Sequence, residues 1–364
     1  MSIIKACFAL VVAAFVLAAC GGSGSSSKAN GGTEANDVLT QVEGLSPKQR
    51  EQKLVALAKQ EGDKLTLYTS MNIDTADLVV SAFKDAYGVD VGLYRASGDT
   101  ILARIIEEEK AGFHGADVVQ INALGTVNLH NAGLFADYAP PSSDRLIPDT
   151  RFGDWTAYQI DPLVLGWNTK LVKGADVPRS WEDLADPRWK GQVGIEADDV
   201  DVYKTLHDLW RAQGKSEADV NRLFDAIGGN AIVVRGHSLL GELQAAGEFA
   251  LSINYAHRID QSIEDGAPLA WRPAVEPLIV EPQGMAVMRD TPHPAAAALF
   301  ADWMLGPGQK IFLEHHQYPV SRSDAVDFGA LGKVVDFADL AKDQQHWRDA
   351  FDKMLNRGRS GPTG

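Results

Sequence analysis

The feature that most restricts how this chain can fold is an alternation of short strands and amphipathic helices that starts at Lys64. Leu65–Thr66–Leu67–Tyr68 alternates with period two and ends in the polar turn Thr69–Ser70–Met71–Asn72. A helix is expected next, capped by Asn72 or Asp74, with Leu78, Val79, Ala82, Phe83 and Ala86 on one face and Gly88 as its stop. Val89 to Tyr94 is a second strand, and Asp99 is a plausible cap for a helix carrying Ile101, Leu102, Ile105 and Ile106. Ala116 to Ile121 is a third strand, ending at Asn122. Strand–helix–strand–helix–strand predicts a parallel α/β lobe with right-handed crossovers.

The middle of the chain repeats the pattern. Leu163–Trp167, Gln192–Ile195, Ala231–Val234, Phe249–Ile253 and Gly284–Met288 are expected strands. Helices are expected over Asp201–Arg211, Ala218–Ile227, Ser238–Ala246, Pro294 to about His316, and Gln344–Asn356. In open α/β sheets, ligands bind beyond the C-terminal strand ends, beside helix N-termini. The residues there are Ser70–Asn72, Ser97–Thr100, Asn122, Glu196–Asp199, Arg235–Ser238 and Asn254–His257. They are mostly hydrogen-bonding side chains, which suits a polar cleft, although turns and helix caps use the same residue types.

The first fifty residues have a different character. A short basic start with Lys5 is followed by an apolar run from Ala6 to Ala19, the length of a signal-peptide core and too short to span a membrane. It ends in Leu17–Ala18–Ala19–Cys20, which resembles the lipobox of bacterial lipoproteins, whose cysteine is acylated. Residues 1–19 are therefore expected to be a signal peptide, Cys20 a lipid site and residues 20–45 a flexible Gly/Ser-rich tether. The sequence has two cysteines, and with Cys7 leaving in the signal the folded body has none. This excludes disulfide scaffolds and cysteine-based metal or catalytic sites.

The formal charge is −15, and loss of Lys5 takes it to −16, so nucleic acid is not an expected partner. No GxSxG elbow lies in the body, and HExxH, P-loop and Rossmann GxGxxG motifs are missing from the sequence, so the chain is not expected to be an enzyme.

Several segments together resemble the ferric-iron-binding group of ABC-transporter solute-binding proteins. They are Leu65–Ser70, Tyr94–Gly98, Gly115–Val119, Asp161–Val172, Ser180–Leu184, Asp186–Gly191, Gly236–Leu240 and Gly306–Gln309. The resemblance implies a type II periplasmic-binding-protein-like α/β fold, with two lobes that close on a ligand in the cleft between them. Residues 62–155 would begin lobe 1, 156–280 would form lobe 2, and 281–364 would return to lobe 1 and add C-terminal helices. It also implies an extracytoplasmic protein, anchored by its N-terminal lipid at the cell envelope, that hands its ligand to an ABC permease and its ATPase. A ligand-sensing lipoprotein is the other use of such a chain.

The resemblance implies no required cofactor and ferric iron as the transported ligand. Relatives that hold ferric ion commonly use two adjacent tyrosines where this chain has Tyr255–Ala256, and a His and a Glu where it has Asn72 and Asn122. The helix-start loop that cradles an anion in some relatives is replaced here by Glu196–Ala197–Asp198–Asp199, whose carboxylates would repel one. Tyr255 and Asp198 are accordingly the expected metal donors, with Glu196, Asp199 and His237 as further candidates. Ser238, Arg235, Ser97, Asn72 and Asn122 complete the expected ligand contacts; Tyr158 and Asp161 lie before the crossover strand. A polar organic solute (an amine, polyamine, phosphonate or carboxylate) is the rival ligand for the same residues.

Overall fold

The computed structural model describes residues 31–138, 140–141, 145–147, 150–315, 317–321 and 332–359. The expected signal peptide and Cys20 lie outside these residues. The chain runs α1 (Gly31–Val42), α2 (Pro47–Gln60), β1 (Lys64–Thr69), α3 (Ile73–Tyr87), β2 (Asp90–Arg95), α4 (Gly98–Lys110), β3 (Val118–Asn122), α5 (Ala123–Asn131) and β4 (Thr156–Asn168). It continues through β5 (Val193–Glu196), α6 (Val200–Ala212), α7 (Glu217–Asn230), β6 (Ala231–Val234), α8 (His237–Ala246), β7 (Leu251–Tyr255), α9 (Ala256–Glu264) and β8 (Leu269–Ala270). It ends with β9 (Leu278–Val287), α10 (Pro294–Met304), α11 (Gln309–Glu314), β10 (Tyr318–Pro319), β11 (Gly332–Val334), α12 (Phe337–Lys342) and α13 (Gln344–Arg359).

The strands form one curled sheet in the order β2-β1-β3-β9-β4-β7-β5-β6. Parallel β2, β1 and β3 make one half and parallel β7, β5 and β6 the other. The long strands β9 and β4 join them, each antiparallel to its neighbours along this order. Sequence periodicity had predicted only the C-terminal part of each joining strand. Pro162 and Pro282 lie inside them, and proline within a run weakens its strand signature.

The helix starts follow from capping chemistry. Asn72 accepts a hydrogen bond from the Asp74 N–H at 3.1 Å, Ser97 from Thr100 at 3.3 Å and Asn122 from Gly125 at 2.9 Å. Helix α3 stops at Gly88, whose φ of 72° is open to glycine without a Cβ penalty. The segment Trp181–Leu184 and Asp186–Gly191 serves as scaffold. Trp181 donates to the Pro277 carbonyl at 2.9 Å, and Asn230 holds the carbonyls of Leu184 and Asp186.

Three expectations need correction. Residues 31–45, expected as tether, contain α1, whose Ala35, Val38, Leu39 and Val42 recur at helical spacing and pack into the core. Overall polarity had hidden that period. Helix α2 adds Leu54 and Ala58 to the core, and its Arg50 pairs with Asp302 of α10 at 2.6 Å, so the folded body begins well before Lys64. The helix expected from Pro294 to about His316 breaks at Leu305–Gly308, where the buried Gln309 side chain donates to the Tyr158 and Met304 carbonyls and accepts from Val320 and Ser321. Finally, α13 packs on α6 and α7 and so joins the second half of the sheet. Its Phe351, Met354 and Leu355 are buried, and at Gly228 a Cβ would lie 2.2 Å from the Met354 carbonyl oxygen.

Asp117, fully buried before β3, receives the Thr66 N–H at 2.6 Å and lies 3.0 Å from His293 Nδ1. That hydrogen bond raises the His293 pKa above the ordinary histidine value. The protonated form is therefore favoured in the folded state. Its contribution is complete below the unfolded pKa and is lost as pH rises through the raised one. His293→Gln is expected to flatten the part of the stability profile above about pH 6.5, measured by denaturant titration across pH 6 to 9.

Candidate functional site

The candidate site is built where β4 and β9 meet the C-terminal ends of β7 and β5. Asp161 of β4 is registered opposite Glu281 of β9, and Leu163 opposite Tyr255 at the end of β7. The Tyr255 hydroxyl donates to Glu281 Oε2 at 2.8 Å. Two imidazoles pack against the phenol. The His237 ring centroid is 4.1 Å from that of Tyr255, and the His257 ring stacks at 5.5 Å with an interplanar angle of 13°. His237 Nε2 is 3.1 Å from Asp199 Oδ1. Behind this pair, Glu196 accepts the Gly236 N–H at 2.9 Å and the Asp198 N–H as well.

Five carboxylates therefore gather here: Glu196, Asp199, Asp201, Asp161 and Glu281, each no more than 9% exposed. Glu196, Asp199 and His237 offer donor atoms that all lie within 4.8 Å of one another. Burial, reinforced by Asp201, raises the Glu281 pKa well above the carboxylate range. Asp199 is pushed up to about 6, chiefly by burial and against the pull of His237. Burial and the neighbouring acids, Glu281 foremost, hold Tyr255 well above its usual value. Burial opposes the His237 imidazolium, but Asp199, Glu196 and Asp201 overcome it and leave the pKa raised. For His257 burial wins and the pKa falls. Asp199 Oδ2, Asp201 Oδ2, His237 Nδ1 and His257 Nδ1 are buried and have no hydrogen-bond partner among the described residues.

The expected site residues divide into groups. Tyr255, Asp199, His237, Glu196 and Asp161 come together. Asp198 does not join them: it is 67% exposed and faces Arg348 Nη1 at 3.3 Å and Arg235 Nη1 at 4.0 Å. Adjacent residues at a helix start point in different directions, so only one of the two aspartates can turn inward. Arg235 is itself 82% exposed, and Ser238 lies on the outer side of the α8 start. Tyr158 is buried in the core against Phe312.

Asn72, Ser97 and Asn122 spend their side-chain oxygens on caps at the end of the first half-sheet. Asn122 is registered with Gln283, two residues along β9 from Glu281, or roughly 7 Å at strand rise. Sequence reasoning missed Glu281 and Asp201. The first looks like one polar residue in a strand and the second like an ordinary acid in the first helical turn.

Two α/β half-sheets joined by a pair of antiparallel strands, with buried acids at the junction, define a two-lobe binding protein of the periplasmic type. The chain belongs to the bacterial extracellular solute-binding protein family, whose model matches residues 126–343. It is similar to the Fe(3+)-binding periplasmic protein of Serratia marcescens, 24% identical over 78% of this chain and 86% of that one. It is also 30% identical to the major ferric iron-binding protein of Neisseria gonorrhoeae, over 36% of this chain and about 40% of that relative's length. In fold it resembles iron-bound HitA from Pseudomonas aeruginosa, with a TM-score of 0.69 and 22% identity over 80% of this chain and 99% of that one.

Proposed function

We propose that this protein is the extracytoplasmic capture component of an ABC importer, that it binds ferric iron, and that it passes the ion to a membrane permease served by an ATPase. The convergence of Glu196, Asp199 and His237 beside Tyr255 is the observation that carries this reading. Carboxylate and phenolate oxygens are hard donors matched to a hard trivalent cation, and one imidazole is compatible with them. For Tyr255 to ligate, its phenol proton must leave. Burial and the neighbouring acids hold that proton on, and a trivalent cation at the phenol oxygen would supply the opposing field that releases it to solvent. The similarity to ferric-ion binders, one of them periplasmic, supports an exported protein, and the Leu17–Cys20 sequence supports lipid anchoring at Cys20. The match to a solute-binding family supports binding and release as the reading.

A second reading has its own observation. Asp201, Glu281 and Asp161 extend the acidic surface beyond the three-donor cluster, which would suit an organic ammonium ligand with Tyr255 packed against it. Titration of the purified protein with ferric citrate separates the two. Iron capture is expected to give a visible tyrosinate-to-iron charge-transfer band that Tyr255→Phe removes. Absence of the band and of bound metal by elemental analysis, together with a raised melting temperature in a polyamine, would favour the organic cation.

A further inference from the structure

Backbone N–H groups gathered in a loop before a helix are a natural seat for an anion, because their partial positive charges point the same way. Such a loop pair exists here, between β5 and α6 and between β6 and α8. Its Asp198 and Gly236 N–H groups both end on the Glu196 carboxylate. Glu196 is 5% exposed, and no lysine or arginine pairs with it, or with Asp199, Asp201 or Glu281, among the described residues. The arginines nearest the loop, Arg235 and Arg348, turn to the exposed Asp198. Asp199 Oδ2, buried and without a partner, faces the same cluster.

We propose that Glu196 is a built-in anion: its carboxylate occupies the loop N–H groups that a free anion would need, so the site takes its cation without a co-bound anion. This rests on the cation reading above and adds to it the form in which the cation is held. Each Glu196 oxygen accepts one N–H and keeps a second lone pair for the ion. A citrate, phosphate or carbonate entering beside it would meet four further buried acids, with no lysine or arginine paired to Glu196, Asp199, Asp201 or Glu281 among the described residues and with His237 already engaged by Asp199.

The test loads the full chain with ferric citrate, removes unbound material by gel filtration, and measures iron by elemental analysis and citrate by ion chromatography. The expected result is iron retained without citrate, and the same retention when phosphate or bicarbonate is added. Glu196→Ala in chloride buffer is expected to lose about tenfold in iron affinity and to regain it when acetate or bicarbonate is supplied. Glu196→Gln, which keeps the shape without the charge, should show the same loss with weaker rescue; the melting temperature of each ligand-free variant verifies folding. Stoichiometric citrate in the wild-type complex, or iron binding that requires an added anion, would overturn the inference and leave the iron reading standing. No iron retained under any condition would remove both. Wild-type affinity in folded Glu196→Ala without added anion would overturn the built-in anion alone.

Discussion

Asp199→Asn is expected to weaken cation capture on the order of a hundredfold or more while leaving a folded protein. Asp199 is the inward member of the aspartate pair, held 3.1 Å from His237, with its other oxygen unpartnered. The substitution removes a buried negative charge from the centre of the donor set and keeps its shape. It has a second signature. The Asp199 carboxyl, pushed up to about 6 by burial, binds its proton more tightly folded than unfolded. A carboxyl with a raised folded pKa costs stability as pH rises from about 4 to about 6, because the unfolded chain gives up its proton first. The wild type is therefore expected to lose stability across that window, and Asp199→Asn to lose less. Isothermal titration with ferric citrate and denaturant melts at pH 4 to 7 check the two effects. Unchanged affinity would show that Asp199 does not face the ligand.

Trp210→Ala is expected to cost about 3–5 kcal/mol of folding stability. Trp210 is completely buried on α6, and its ring lies 5.0 Å from Phe224 of α7. Truncation leaves a cavity that two packed helices cannot close without shifting. The same helix carries Asp201 in its first turn and is preceded by Asp199, so loosening its seat also weakens the ligand response. A saturating ligand stabilises the native state by RT ln(1 + [L]/Kd), so the variant should show a smaller thermal shift at a fixed ligand concentration. The denaturation midpoint of the ligand-free variant measures the first effect. A midpoint within about 1 kcal/mol of wild type would mean that this half of the fold repacks around the loss.

The functional cluster also shows how a binding site trades stability for affinity. Five buried acids with two imidazoles, and no lysine or arginine among the described residues paired to them, are a poor way to stabilise a core. The raised proton affinities of Glu281 and Asp199 record that cost, and a cation between the acids would offset it. The surrounding packing is conventional by contrast. Phe83 against Phe300 and Trp303, and Tyr203 against Phe224, anchor the helices on either half of the sheet.

Local chemistry decides what can be read from the chain alone. The alternation from Leu65 to Asn122 specified parallel strands with crossover helices, because side-chain period and caps are properties of neighbouring residues. Asn72, Ser97 and Asn122 were legible as residues at strand ends for the same reason, and their oxygens prove to be caps. Tyr255, Asp199 and His237 were legible as loop residues beyond strands. Which acids lose water was not. Asp198 and Asp199 are chemically identical neighbours, yet one meets solvent and Arg348 while the other meets His237. Glu281 becomes a partner of Tyr255 only through the antiparallel register of β9 on β4, set by residues more than a hundred positions apart. Solvation and pairing of a charge depend on what the rest of the chain places around it. That is why the sequence determined the half-sheets and their loops, and only the tertiary structure decided which carboxylates form the site.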